Sequence, residues 1–153
     1  MDFRVERATS EDGDLFVEII NKVWEEMEEK EWFAADVPEY TRNVLKEGRG
    51  IGYKAIEEES GDVAGVFMVM IPGESQDNLG YDLGMPVTDL QKSAHMESIA
   101  IISKYRGNHL QYRMMQEAER YPREQGFHYL MCTIHPDNTF SLNNALRQGY
   151  EIM

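Results

Sequence analysis

Two groups of residues near the middle of the chain are of types that do chemistry. His95 and Glu97 are titratable and two positions apart, a spacing that places both side chains on one face of a β-sheet. Arg106, Gly107 and Asn108 follow in a turn that leads directly into a helical pattern. The first N–H groups of a helix lack internal partners and lie at the positive end of the helix dipole. The turn therefore predicts a site for an anion such as phosphate.

A single turn of this kind is weak evidence, because αβ proteins contain several such turns. Lys104, Arg106 and Arg113 surround the turn and supply local positive charge. The alternative is that these are exposed charges on a solvated turn, above all in the case of Arg113.

Composition limits the class of protein. The chain has 153 residues, 28 of them acidic and 15 basic, which gives a net charge of -13. This length predicts a single domain, residues 1–153, that is large enough to bury a core. The negative charge argues against nucleic acid and an anionic membrane as partners, since both require broad positive surfaces.

Cys132 is the single cysteine, so no internal disulfide is expected, and the first residues contain no apolar signal segment. Both features predict a reducing, cytoplasmic setting. Cys132 lies in an apolar segment and is interpreted as a small buried residue rather than a nucleophile. No metal is expected, because neither His109 nor His135 is spaced to complete a site with His95 and Glu97.

Hydrophobic periodicity predicts the elements that position these residues. Strands are expected at 3–7, 51–58, 63–71, 96–102 and 127–134, with a further strand starting at 150, and the second and third strands should form an antiparallel hairpin. Helices are expected across 16–27, 38–47, 110–125 and 137–148. Thr9 and Asp12 form a candidate capping pair, and Pro122 is expected to end or kink its helix. Residues 72–93 are interpreted as a long loop that borders a substrate pocket.

The order of these elements resembles that of the GNAT superfamily of acyl-coenzyme A N-acyltransferases. The segment Ser98-Ile-Ala-Ile101 followed by Tyr105-Arg-Gly-Asn108 resembles the fourth strand and pyrophosphate loop of that family. His135-Pro-Asp-Asn138, Ser141 and Gly149-Tyr150 resemble its second coenzyme-contacting segment and the strand that follows. The resemblance implies an α/β (α+β) fold with a mixed, largely antiparallel central sheet flanked by helices, in the order β-α-α-β-β-β-α-β-α-β.

The resemblance implies transfer of an acetyl group from acetyl-CoA directly to a primary amine of a small molecule or peptide. The Ile101 N–H would polarise the thioester carbonyl. Asn138 would bind the pantetheine arm, although an ordinary helix N-cap is a strong alternative for an asparagine. The implied coenzyme-binding residues are Ile99, Ala100, Ile101, Lys104, Arg106, Gly107, Asn108, His109, Leu110, Asn138 and Ser141.

The same resemblance assigns Glu97 as the base or water-positioning group and His95 as its partner. A base is required because an amine with a pKa near 10.4 is almost wholly protonated at neutral pH. The alternatives are a surface-paired charge for Glu97 and an exposed residue at the start of a strand for His95.

Three features depart from the family pattern. His109 stands where the family has glycine or alanine, and Ala145 stands where it often has the tyrosine that protonates the leaving thiolate. The sequence stops at Met153, before the family's last strands. The expected open sheet edge indicates a shortened sequence or a neighbouring chain that fills the gap, as in a homodimer. These departures leave two alternatives open, a non-catalytic acyl-CoA-binding or regulatory module and an αβ domain without a coenzyme.

Overall fold

A computed structural model describes residues 1–28 and 38–153. Its strands are β1 (Phe3–Arg7), β2 (Gly50–Glu57), β3 (Val63–Met70), β4 (Ser93–Ile101) and β5 (Tyr129–Met131). The α-helices are α1 (Gly13–Glu26), α2 (Pro38–Lys46), α3 (Val87–Leu90), α4 (Leu110–Glu124) and α5 (Thr139–Arg147). Short 3-10 helices cover Leu79–Leu83 and Ser103–Tyr105.

The strands form one sheet in the order β1-β2-β3-β4-β5. The pairs from β1 to β4 are antiparallel, and β5 pairs with β4 in parallel. The predicted hairpin of β2 and β3 is confirmed, as is the mixed, largely antiparallel sheet. The parallel pair requires a crossover between its strands, and α4 supplies it.

Helices cover both faces of the sheet. A Cβ on Gly50 would lie 2.5 Å from Val44 Cγ1 of α2, and one on Gly52 would lie 2.7 Å from the Phe16 ring of α1. These contacts show why small residues are needed where the first two helices approach β2. The next position, Tyr53, points the other way, toward the charged side chains of α4. The sheet is therefore a central layer with α1 and α2 on one side and α4 on the other.

The predicted pair of Thr9 and Asp12 forms, but as a turn that precedes α1 rather than as a cap. The backbone N–H of Thr9 donates to Asp12 Oδ2 at 2.8 Å, and the N–H of Asp12 donates to the Thr9 carbonyl at 3.1 Å. Asp12 is the N-cap residue of α1, and its side chain makes no hydrogen bond to the first N–H groups of the helix.

Two boundaries differ from the sequence prediction near the central strand. β4 begins at Ser93 rather than residue 96, because β5 pairs with its first three residues. α4 continues through Pro122 instead of ending there. Its end is set by Gly126, which has φ 76°, while the Phe127 N–H donates to the Pro122 carbonyl at 2.9 Å. A left-handed glycine with this bond is a common way of ending a helix.

The elements predicted near the C-terminus were too long. β5 covers only Tyr129–Met131 instead of residues 127–134, and α5 covers Thr139–Arg147 instead of 137–148. Residues 150–153 form no strand, because they pair with no strand in the described part of the chain. Residues 72–93 are not a simple loop, since they contain the 3-10 helix Leu79–Leu83, α3 and the first residue of β4.

Candidate active site

β4 and the edge strand β5 separate partway along β4. Their parallel pairing runs from Ser93 opposite Tyr129 to His95 opposite Met131, and no pair follows. β4 nevertheless continues to Ile101, still paired with β3 on its other side. The last residues of β4 therefore border a gap on the side away from β3.

The backbone of Ile101 is directed into this gap. The Ile102 N–H donates to the Ala64 carbonyl of β3 at 2.9 Å. Residues of an antiparallel strand alternate in the direction of their N–H and C=O groups, so those of Ile101 and Ile99 point away from β3. In agreement, the Ile101 carbonyl accepts a hydrogen bond from Arg106 Nε at 3.3 Å. The Ile101 N–H is thus directed away from β3 and toward the gap, the orientation that an oxyanion donor would require.

The turn before α4 has the geometry of an anion site. Gly107 has φ 85° and His109 has φ 58°, and no side chain caps the helix at its N-terminus. A Cβ on Gly107 would meet no atom within 4 Å, so the space beside this backbone is open. The first N–H groups of α4 are exposed to whatever occupies that space. These residues fit a diphosphate group.

Among the described residues outside glycine, His109 alone has a positive φ. This conformation would suit glycine better than histidine, because a Cβ disfavours the left-handed region. The His109 side chain is exposed, whereas the Leu110 side chain is buried in the core. Leu110 therefore contributes its backbone rather than its side chain to the site.

The three predicted cations have different surroundings. Arg106 is exposed and bonds to the Ile101 carbonyl, and Lys104 Nζ lies 5.3 Å from the centroid of the Tyr105 ring. Arg113 instead donates to the Phe3 carbonyl of β1 at 2.7 Å. Arg113 is exposed, as the alternative of a solvated charge expects, and its hydrogen bond directs it toward β1 rather than toward the turn.

The N-terminus of α5 lies beside that of α4. The Gln111 side chain of α4 donates to Ser141 Oγ of α5 at 3.2 Å. Asn138 is the N-cap of α5, and its side chain accepts from the Ser141 N–H at 3.3 Å. The capping interpretation of Asn138 is therefore confirmed, and its amide nitrogen is a further donor at the same end of the helix.

A bulge in β4 positions the candidate base. Met68 pairs with Ser98 and the next residue, Val69, pairs with Met96, so Glu97 has no residue opposite it. An extra residue of this kind redirects side chains, and bulges are common beside active sites. Glu97 and Ser98 consequently both line one pocket, although successive residues of a regular strand would not.

His95 and Glu97 are brought together, as the sequence predicts. His95 Nδ1 lies 3.7 Å from Glu97 Oε2, a contact too long for a direct hydrogen bond. His95 is 3% exposed, so it is not an exposed residue at the start of a strand. Its other ring nitrogen, Nε2, accepts a hydrogen bond from the Leu79 N–H at 3.2 Å.

The pocket beside Glu97 lies on the face of the sheet covered by α1 and α2. It is small and partly open, with about 10 Å³ of space for the centres of water-sized molecules, enough for about one water molecule. Its wall is mainly apolar, with one carboxylate. The lining residues are Ile20, Tyr40, Thr41, Val44, Met68, Met70, Glu97 and Ser98.

Two residues near the gap offer no obvious acid or nucleophile. Ala145 is buried in the core at 3% exposure. Cys132 follows β5, and burial raises the pKa of its thiol, which makes it a poorer nucleophile near neutral pH.

Within residues 1–28 and 38–153, no three His, Cys, Asp or Glu side chains are grouped to hold a metal ion. No described helix is long and apolar enough to cross a membrane.

Several solved structures share this fold. An aminoglycoside acetyltransferase from an uncultured soil metagenomic sample, in complex with sisomicin, has a TM-score of 0.69 and 13% identity, covering 99% of this chain and 91% of its own. The aminoglycoside N-acetyltransferase AAC(6')-Iy in complex with CoA has a TM-score of 0.70 and 12% identity, covering 99% of this chain and 90% of its own. A GNAT-family acetyltransferase from Streptococcus pneumoniae has a TM-score of 0.73 and 16% identity, covering 99% of this chain and 86% of its own.

At such identities these structures show the fold alone, and the predicted fold class is confirmed. No protein with a curated description matches the sequence significantly. The sequence model described as the acetyltransferase (GNAT) family matches residues 15–150, which is most of the chain. The chain therefore belongs to the GNAT acetyltransferase family.

Proposed function

We propose that this protein is an N-acetyltransferase that moves an acetyl group from acetyl-CoA directly to a primary amine of a small molecule or peptide. The observation that carries the proposal is the gap between β4 and β5. The Ile101 N–H points into this gap, and the open start of α4 adjoins the end of β4.

The coenzyme would supply an activated acetyl thioester, and the residues around the gap suit its parts. The backbone of Gly107, Asn108, His109 and Leu110 would hold the diphosphate, because helix-start N–H groups favour anions. Lys104 and Arg106 would add positive charge, which an anion needs on a chain with net charge -13. The backbone of residues 99–101 would bind the arm and the carbonyl, together with Asn138 and Ser141.

Glu97 would act as the base. The attacking amine must lose a proton, and a carboxylate within reach, directly or through one water molecule, accepts it. Glu97 borders the pocket with a side chain that is 24% exposed, so both an amine and water can approach it. His95, which is almost fully buried, would act as the partner of Glu97.

The missing tyrosine at position 145 does not prevent this reaction. A thiol has a reference pKa of about 8.5, so a thiolate is a far better leaving group than an alkoxide or an amide anion. The coenzyme can therefore depart before it is protonated. We expect the absence of a positioned acid to slow the reaction rather than abolish it.

The surface around Glu97 is the proposed acceptor site; its small pocket has room for the reacting amine or a water molecule, and the rest of the acceptor would lie outside it. The apolar wall of the pocket favours an amine attached to an apolar carbon skeleton, while the net charge of -13 favours cationic acceptors such as polyamines, aminoglycosides or basic peptides. Sisomicin, bound to one structural neighbour, is an example of the second class. A panel of amines should contain both classes.

A non-catalytic acyl-CoA-binding or regulatory module is the second candidate. It is favoured by Ala145 in the core at the position of the family's usual acid. Under this alternative the protein binds acetyl-CoA but leaves the thioester intact.

Calorimetry and thermal unfolding test the coenzyme site first. Acetyl-CoA at a concentration 100 times its Kd should stabilise the fold by about 2.7 kcal/mol and raise Tm by roughly 5–10 °C. Pantetheine, which lacks the diphosphate, is the control and should have a much smaller effect. No heat of binding with CoA or acetyl-CoA would reject both candidates.

Thiol release across the amine panel then separates the candidates. Release that depends on the amine supports the transferase. Binding of acetyl-CoA without release for any amine supports the binding module and overturns the transferase.

A further inference from the structure

The segment between β3 and β4 is held in place by one buried side chain. Asn78 is 2% exposed, and its Nδ2 donates to the Gly73 carbonyl at 2.8 Å and to the Leu90 carbonyl at 3.2 Å. Its Oδ1 accepts from the Gly80 N–H at 2.8 Å. Both amide hydrogens and the oxygen are therefore used within the segment. Asn78 thus joins parts of the segment that are far apart in sequence.

This arrangement places the Leu79 N–H on His95. The N–H donates to His95 Nε2 at 3.2 Å, and Leu79 is flanked by Asn78 and Gly80, which bond to each other. A ring nitrogen that accepts a hydrogen bond carries no proton. A neutral His95 must therefore carry its proton on Nδ1, since the bond made by one ring nitrogen sets the state of the other.

The protonated nitrogen faces the candidate base. His95 Nδ1 lies 3.7 Å from Glu97 Oε2, and His95 is almost fully buried. At this distance the Nδ1–H attracts the carboxylate without a direct hydrogen bond, and it favours the orientation in which Oε2 faces His95. A ring with the other tautomer would present a lone pair to Glu97 and repel the carboxylate from this position.

We propose that Asn78 and the Leu79 N–H are positioning groups for Glu97. They act through His95 by fixing its ring as the Nδ1–H tautomer, and neither touches the substrate. This inference rests on the proposed function for its effect on catalysis, but the tautomer itself can be measured without turnover.

Leu79→Pro removes the N–H with little other change. Leu79 is the first residue of a 3-10 helix, a position that tolerates proline, and the N-cap Asn78 has φ -67° and ψ 120°, as a residue before proline prefers. Leu79→Ala is the matched control, because it loses the same leucine side chain and keeps the N–H. Asn78→Asp keeps the acceptor for Gly80 and loses both donors, so it should release the Leu79 N–H.

The tautomer is read by ¹⁵N NMR of the histidine ring nitrogens, with His95 assigned from its loss in His95→Asn. Wild type and Leu79→Ala should show the Nδ1–H form. Leu79→Pro and Asn78→Asp should show a mixture of both tautomers. The two variants should also lower kcat about tenfold, as expected for loss of an outer-shell partner, with the KM for acetyl-CoA unchanged.

An Nε2–H tautomer in the wild type overturns the proposal, and this result does not depend on whether any variant folds. A Leu79→Pro enzyme with the same kcat as the wild type would also overturn the proposal. If the wild type acetylates no amine, the proposed function fails, and the tautomer alone then decides whether Leu79 orients the His95–Glu97 pair.

Discussion

Glu97 has surroundings that suit a base. It has no cross-strand partner residue, borders a pocket with an apolar wall and lies beside a buried histidine. Its partial exposure leaves room for water, while the nearby apolar side chains limit solvent screening. A carboxylate in this position can interact with a substrate amine rather than only with the sheet surface.

Replacing this carboxylate tests its role directly. Glu97→Gln keeps the shape of the side chain and removes the proton acceptor, so we expect kcat to fall by about 10²–10⁴-fold. The Kd for acetyl-CoA, measured by calorimetry, should not change. Glu117→Gln on α4 is the control, because Glu117 pairs with Arg120 on α4 and does not line the pocket. A Glu97→Gln enzyme with the wild-type rate would place the base elsewhere.

His109 permits a second test at the scale of one residue. Its φ of 58° is accessible to glycine without strain and is worst for β-branched residues. We expect His109→Gly to be at least as stable as wild type and His109→Val to be less stable than His109→Gly by about 1–2 kcal/mol. Urea unfolding measures both values. Equal stabilities of the two variants would show that the backbone relaxes out of the left-handed region.

At the scale of elements, two helix starts and one strand end converge on the proposed coenzyme site. The Gln111–Ser141 hydrogen bond joins the N-termini of α4 and α5, and the turn before α4 follows directly on β4. Helix starts provide donors and partial positive charge in fixed positions. The site therefore depends on how these elements pack, more than on any one charged side chain.

Asn138 has two roles that can be separated. Asn138→Ala removes the cap and should lower the free energy of unfolding by about 1 kcal/mol. Asn138→Ser restores a cap of similar strength without the amide nitrogen, so its stability should match wild type. If the amide also binds the pantetheine arm, the serine variant should bind acetyl-CoA more weakly, as measured by calorimetry. Unchanged binding by the serine variant would limit Asn138 to capping.

At the scale of the whole molecule, the acidic chain buries one carboxyl group in the packing of α4 against the C-terminal residues. Glu119 is 4% exposed, and its Oε2 accepts from Arg123 at 3.0 Å. Its carboxyl group and the Tyr150 hydroxyl lie near each other, although no hydrogen bond of regular geometry is formed by Glu119 Oε1 or by the Tyr150 hydroxyl within the described residues. Burial raises the pKa of Glu119 above 4.5, although Tyr150 and Arg123 oppose the shift.

This raised pKa makes stability depend on pH. Above pH 4.5 the unfolded chain releases a proton that the folded protein retains, so the free energy of unfolding falls as the pH rises through this window. Glu119→Gln cannot ionise and should become more stable relative to wild type near neutral pH than near pH 4.5. Urea unfolding of both proteins at the two pH values measures this difference. An equal difference at both values would show that Glu119 does not retain the proton.

Residue types and short-range spacing were sufficient to predict much of this protein. Alternation and helical periodicity identified the hairpin, the central strand and α4, because each depends on nearby residues and on which side is apolar. The residues from Ser98 to Asn108 indicated the family. Short-range spacing also predicted that His95 and Glu97 would be close.

Other features depended on partners distant in sequence. The length of β5 is set by its pairing with three residues of β4, and the bulge at Glu97 becomes visible only through the register with β3. The hydrogen bond from the Leu79 N–H to His95 comes from the segment between β3 and β4, whose sequence has no strong hydrophobic periodicity. The sequence by itself determined which elements form and which family they build, because local geometry and burial are encoded in short segments. Tertiary structure decided where the strands separate and how Glu97 is oriented, because both are relations between segments that only packing brings together.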